Sequence, residues 1–139
     1  MIRYYDIGPN HAIARGGAFT SDFDLEPPHQ LPSSARWWWR KWALSQRADG
    51  GVVVRQGGVV VGFCRWRLWA GRELCFSGTW VSAPLRHQGV GVQMWRRVLQ
   101  RIPYDACAIV TTQGGRRLVE RLQREFPERA WDVTAAMLD

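Results

Sequence analysis

The sequence predicts a mixed α/β fold in a single domain, with a mostly antiparallel sheet flanked by helices. Three observations carry that expectation. The chain has 139 residues, 46% of them hydrophobic and 22% charged, which suits one domain with a real core and excludes a disordered or fibrous chain. Hydrophobic periodicity switches between two residues, the mark of a strand, and about 3.6, the mark of a helix. No internal repeat or low-complexity linker divides residues 1–139.

Taken in order, residues 2–7 read as a short strand closed by Gly8-Pro9. A short helix is expected near 10–16, then a loop containing Pro27, Pro28 and Pro32. Ser33 and Ser34 are natural N-caps for a helix to about Arg47, with Ala35, Trp38, Trp39, Trp42 and Ala43 at helical spacing. Asp49-Gly50-Gly51 is expected to stop it. Val52–Arg55, a Gln56-Gly57-Gly58 turn and Val59–Trp69 read as a hairpin. In its second arm Cys64, Trp66 and Leu68 alternate with Arg65, Arg67 and Trp69, so one face carries paired arginines. After a turn at Ala70-Gly71-Arg72, Leu74–Val81 reads as a central strand, rich in Trp, Cys, Phe and Val. Val90, Met94, Trp95, Val98, Leu99 and Ile102 make one stripe of a helix over 90–102 that Pro103 ends. The nearly uniform apolar run 106–112 predicts a strand buried on both faces. Gly114-Gly115 is expected to break it before a helix from Arg116 to Phe126 with Leu118, Val119 and Leu122 inward. A last strand is expected over 131–138.

Composition narrows the function classes. Cys64, Cys75 and Cys107 are odd in number and contain no C-x-x-C pair, which argues against a disulfide framework or a zinc ribbon. No His, Cys, Asp or Glu group has metal-ligand spacing, so no metal is expected. The N-terminus lacks a signal peptide and no apolar run reaches the roughly 20 residues of a membrane span, which predicts a cytoplasmic protein without a membrane partner. The net charge is +7, with eighteen arginines, one lysine and nine tryptophans. Basic charge with aromatic surface invites a nucleic-acid reading.

The segment with the clearest chemistry runs Val81-Ser82-Ala83-Pro84-Leu85-Arg86-His87-Gln88-Gly89-Val90-Gly91. A strand enters a turn with two glycines two apart and passes at once into an amphipathic helix. The amides at a helix start lack intrahelical partners and the helix dipole adds positive potential, so this is an anion cradle. Glycine allows close approach to a phosphate, and Arg86 adds a fixed charge.

Arg-x-x-Gly-x-Gly after a strand ending in Val resembles the acetyl-CoA signature of the GCN5-related N-acetyltransferases (GNAT), and the element order resembles that fold over nearly the whole chain. The resemblance implies a single GNAT domain with a splayed V between two central strands. It implies direct attack of an acceptor amine on the acetyl-CoA thioester, with acetyl-CoA as co-substrate. The amides of residues 86–91 (Arg86, His87, Gln88, Gly89, Val90, Gly91) would hold the pyrophosphate. Val81 and its neighbours would pair with the pantetheine arm and polarise the acetyl carbonyl. Thr112 and Gln113, at the end of the facing strand, would lie near the thioester. The chain departs from the family where many members carry a glutamate on the strand before the signature, here near Cys75 and Ser77, and a tyrosine on the penultimate helix, absent from Glu120–Arg124. Candidates for the base and acid are Glu73, Ser77 and Tyr104, each with a plainer reading: an exposed turn residue, a backbone-satisfied serine, a packed loop aromatic. Cys75 reads as core. His87 belongs with the pyrophosphate, and His11 and His29 fall in the segment that shapes an acceptor pocket.

Between Arg36 and Arg72 eight basic residues face only Asp49 and, just beyond, Glu73, with Trp37, Trp38, Trp39, Trp42, Trp66 and Trp69 interleaved. Arginine and aromatics together grip phosphates and stack bases. Arg65, Arg67 and Trp37 are therefore candidate contacts to a nucleic-acid acceptor. The acceptor is expected to be a small-molecule or nucleobase amine, and a GNAT-like enzyme that modifies nucleic-acid bases, as in phage, is the alternative. Core packing of the tryptophans and attraction of anionic CoA account for the same residues without nucleic acid. Because only 131–138 remains where the family usually ends in a strand pair, a second subunit is one source of the missing strand, which would make a homodimer.

Overall fold

The computed structural model describes residues 1–11, 13–14 and 47–135. Its elements run β1 (Ile2–Ile7), β2 (Gly50–Gln56), β3 (Val59–Trp69), β4 (Glu73–Val81), a single 3-10 turn (Ala83–Leu85), α1 (Val90–Arg101), β5 (Asp105–Val110), α2 (Gln113–Glu125) and β6 (Trp131–Ala135). One six-stranded sheet has the order β1-β2-β3-β4-β5-β6. Pairing is antiparallel from β1 to β4, then parallel for β4–β5 and β5–β6. This is the mixed, mostly antiparallel α/β sheet the sequence predicts. The expected helices near 10–16 and 33–47 and the last residues of the 131–138 strand lie outside the described residues.

The β2–β3 hairpin turns through Gly57 and Gly58 at φ +59° and +84°, the left-handed pair a two-residue hairpin loop demands. Two bulges change which side chains meet. Val61 has no partner opposite it in β2, and the phase shift groups Val60 and Phe63 with Val53 and Trp80 on one face. Val61 and Cys64 turn to the other face, with Val52, Val54 and Leu74. Ser77 is the extra residue of β4: Arg65 pairs with Gly78 and Trp66 with Phe76.

The main core lies between the sheet and α1, which packs across β2, β3 and β4 beside α2. Of the predicted stripe Val90, Met94, Trp95, Val98 and Leu99 are buried; Val92 joins them, and Ile102, the C-cap, is half-buried against the same core. Each such side chain contributes roughly 1.5–3 kcal/mol by leaving water. Trp95 ties α1 to β4. Its ring stacks on Phe76 at 3.6 Å and 1°, and its Nε1 donates to Thr79 Oγ1 at 2.7 Å. A smaller core on the opposite face joins Ile13 to Val53, Val60, Phe63 and Trp80.

Gly50 and Gly51 open β2, and a Cβ on Gly51 would sit 2.0 Å from the Cys64 carbonyl oxygen, so glycine is what lets β2 meet β3 there. Two local expectations are corrected. Gly114 and Gly115 lie inside the first turn of α2, because Thr112 Oγ1 accepts from the Gly115 amide at 3.0 Å and caps the helix earlier. β5 is not buried on both faces. Ala106, Ala108 and Val110 turn inward while Ile109 is 66% exposed.

Candidate active site

Two local features build the site. The first is the parting of two parallel strands. β4 and β5 pair only at Glu73–Asp105, Leu74–Ala106 and Cys75–Cys107, yet β4 runs on to Val81 and β5 to Val110. Beyond Cys75 the β5-facing edge of β4 has no strand partner among the described residues, while its other edge stays paired to β3 as far as Val81–Gly62. The result is a V, closed at Cys75–Cys107 and open toward Val81 and Val110.

The second is the loop at the open end. After Val81 the chain makes the 3-10 turn Ala83–Leu85, and Arg86 turns back so that its Nε donates to the Val81 carbonyl at 2.9 Å. Gln88 Nε2 donates to the Pro84 carbonyl at 2.8 Å. His87 and Gly89 both have positive φ, +63° and +82°, and Gly89 is the N-cap of α1. The first described backbone bond of that helix start is Gln93 N–H to Gly89 O. The Arg86 amide, expected in the cradle, donates instead to the Ala83 carbonyl at 3.2 Å and closes the 3-10 turn; the amides of residues 87–91 donate to no carbonyl among the described residues, and space over the Gly89 Cα is open to 4 Å. A concave set of free N–H groups at a helix N-terminus is an anion receptor. Gly91 differs from Gly89: a Cβ there would touch Leu118 of α2 at 3.7 Å, an ordinary contact.

Of the other sequence-predicted residues, few gather at the V. Ser77 is buried, unpaired in the β3 ladder, and its hydroxyl donates to the Cys75 carbonyl at 3.4 Å. Glu73 is half-buried at the closed end, on the same rung as Asp105. Tyr104 is exposed just before β5, at that same end. Gln113 is exposed and opens α2, and the Thr112 hydroxyl beside it is engaged as the cap. His11 is half-buried, its Nδ1 accepts from the Ile13 amide at 3.1 Å, and burial together with nearby Arg55 holds its pKa low.

The arginine pair is half corrected. Arg65 and Arg67 do share a face, but only Arg67 is exposed. Arg65 is 0% exposed, its Nη2 donates to the Ala14 carbonyl at 3.3 Å, and burial lowers its pKa to about 10. Covered by the N-terminal segment, it cannot reach a phosphate in solvent. Trp37 and His29 lie outside the described residues.

Sequence reasoning missed one grouping. Cys75 and Cys107 face each other across the last β4–β5 rung, with the Glu73 carboxylate beside them. Burial pushes the Cys107 thiol up to about 12, helped by the neighbouring Cys75 thiol and Glu73, and burial raises Cys75 as well. Neither is the reactive thiolate of a nucleophilic cysteine. Only the pairing register, which no linear spacing encodes, could have revealed this group.

The profile of the acetyltransferase (GNAT) family matches residues 17–113, more than half of the chain. No curated protein sequence matches it. The fold is similar to that of a ribosomal-protein-alanine N-acetyltransferase from Brucella melitensis biovar Abortus 2308, with TM-score 0.51, 14% identity, and 88% of this chain and 90% of that one covered. It is similar to a predicted acetyltransferase with acetyl-CoA from Clostridium acetobutylicum, with TM-score 0.53, 11% identity and 88% of each chain covered. It is also similar to an aminoglycoside acetyltransferase from an uncultured soil metagenomic sample in complex with sisomicin, with TM-score 0.50, 13% identity, and 89% and 86% covered. These likenesses concern the fold, and the family profile carries the assignment: the chain belongs to the acetyltransferase (GNAT) family.

Proposed function

We propose that this protein transfers the acetyl group of acetyl-CoA to an amine acceptor within the V between β4 and β5. The observation that carries the reading is the loop of free amides, residues 87–91, at the open end of a V whose β4 edge lacks a strand partner. An anionic pyrophosphate suits that cradle, with α1 adding its N-terminal potential. The edge of β4 from Phe76 to Trp80, which has no strand partner among the described residues, offers backbone N–H and C=O groups to an extended amide-bearing arm, as a strand would to another strand. Acetyl-CoA supplies the thioester when bound. Ser77 is the bulge residue, without a partner in the β3 ladder, and its backbone amide is our candidate to polarise the acetyl carbonyl. Its hydroxyl is held by the Cys75 carbonyl, and Glu73 and Tyr104 sit at the closed end. Positioning therefore takes the larger share, and proximity alone can contribute roughly 7–11 kcal/mol. Two fold relatives carry amines in their names, a ribosomal-protein alanine and an aminoglycoside, and what those acceptors share is the amine. The nucleic-acid alternative loses Arg65 to burial, and no feature of the site favours it.

Calorimetric titration with acetyl-CoA tests the reading. Saturable binding is expected in the wild type, together with CoA release when an amine panel is added. Gly89→Glu places a carboxylate in the cradle and should abolish binding while the melting transition persists. An absence of binding at high micromolar acetyl-CoA, or unchanged affinity in a folded Gly89→Glu protein, would overturn it.

A further inference from the structure

Glu73, Cys75 and Cys107 stand apart from the amide loop and have no part in the transfer chemistry above. Their carboxylate oxygen and two sulfurs all lie within 4.8 Å of one another. The arrangement follows from strand geometry. Glu73 and Cys75 flank inward-facing Leu74, so both turn to the face away from α1. Cys107 lies between buried Ala106 and Ala108 and turns the same way. The parallel register places it opposite Cys75, and its sulfur lies within 4.8 Å of both the Cys75 sulfur and a Glu73 carboxylate oxygen.

We propose that Glu73, Cys75 and Cys107 form a three-ligand site for a thiophilic divalent cation, Zn2+ first, that clips β4 to β5 at the rung where their pairing ends. Two sulfurs and a carboxylate oxygen are a donor set that favours zinc over magnesium or calcium. A tetrahedral ion with bonds of about 2.3 Å to sulfur holds its two sulfurs roughly 3.8 Å apart, so small side-chain rotations suffice. Three protein ligands leave the fourth position for water. As each Zn–S bond forms, the thiol proton leaves to solvent, so binding two thiolates releases up to two protons. Arg67 is in register with Cys75 on one side, and Asp132 with Cys107 on the other. The guanidinium lies where it offsets the excess negative charge of the ligand set. The ion would fix the apex of the V independently of the anion loop, so the site stands whether or not acetyl-CoA is the co-substrate.

The test uses the full chain, chelator-treated and kept reduced, titrated with Zn2+ by calorimetry and with Co2+ by absorption spectroscopy. One equivalent per chain is expected, with a sulfur-to-cobalt charge-transfer band. Cys107→Ser should weaken Zn2+ binding by about a hundredfold and reduce the band, whereas Glu73→Gln should weaken binding by roughly tenfold and keep it. Zn2+ should raise the wild-type melting temperature and leave Cys107→Ser unmoved. If the double variant Cys75→Ser/Cys107→Ser fails to fold, the two single variants decide. No uptake at about 100 μM Zn2+, no charge-transfer band, or uptake unchanged by Cys107→Ser would each overturn the site.

Discussion

At Gly51 a Cβ would lie 2.0 Å from the Cys64 carbonyl oxygen and 3.2 Å from the Arg65 Cα, so the constraint is backbone against backbone. No rotamer relieves such a contact. Gly51→Ala is expected to cost about 3 kcal/mol or more by forcing β2 from β3, read as a lower urea midpoint. Gly91 poses the opposite case, since its added methyl meets only the flexible Leu118 side chain. Gly91→Ala should hold stability or raise it by up to about 1 kcal/mol through helix propensity. Both residues are glycine in the sequence, and only the neighbours at each Cβ separate them. The same holds for Arg65 and Arg67: alternation puts them on one face, and a carbonyl from residue 14 decides that one is buried.

At the level of elements, the ends of α1 show how the chain satisfies or withholds backbone partners. At its N-terminus the amides of residues 87–91 meet no carbonyl among the described residues. Its C-terminal carbonyls are satisfied, because Arg129 donates to the Ile102 carbonyl at 2.8 Å and to the Leu99 carbonyl, with its guanidinium 5.1 Å from the Phe126 ring centroid. A cation at a helix C-terminus also meets the dipole favourably. Arg129→Ala is expected to destabilise the fold by roughly 2 kcal/mol, since charge-assisted bonds and packing are lost together; thermal or urea unfolding would measure it. α1 and its stripe were legible because Val90, Met94, Trp95, Val98 and Leu99 repeat at helical spacing. The start of α2 was not, because glycines read as a break until Thr112 is seen to cap them.

Across the whole molecule, much of the basic charge is structural. Arg96 pairs with Glu125 at 2.7 Å, holding α1 to α2, and Arg97 and Arg101 pair with Asp6 of β1. Hydrogen bonding to Arg97 holds the Asp6 carboxyl below its ordinary range, with Arg97 and Arg101 charge adding to the effect. A group with a depressed folded pKa contributes stability that is fully present above its unfolded value, about 4, and is lost as pH falls through the folded one. Stability should thus decline below about pH 4, and Asp6→Asn should remove that part of the slope at a cost of about 1 kcal/mol or less at neutral pH, since the pairs are partly exposed. Unfolding curves from pH 3 to 7 would show it (that range brackets the ordinary carboxylate pKa of about 4).

The sequence by itself determined the class of the sheet, the β1 strand, the β2–β3 hairpin, the helix after Gly89 and the glycine-bearing turn before it that carries the family resemblance. Each is local: periodicity, turn chemistry and a strand-to-helix junction are written within a dozen or so neighbouring residues. The tertiary structure alone decided how far β4 and β5 pair, that Ser77 is a bulge, that Arg65 is withdrawn from solvent, and that Glu73, Cys75 and Cys107 converge. Those depend on contacts and register between segments that lie 13 (Arg65–Gly78), 32 (Cys75–Cys107) and 51 (Arg65–Ala14) residues apart, and in a strand pair a shift of one residue turns every side chain to the other face.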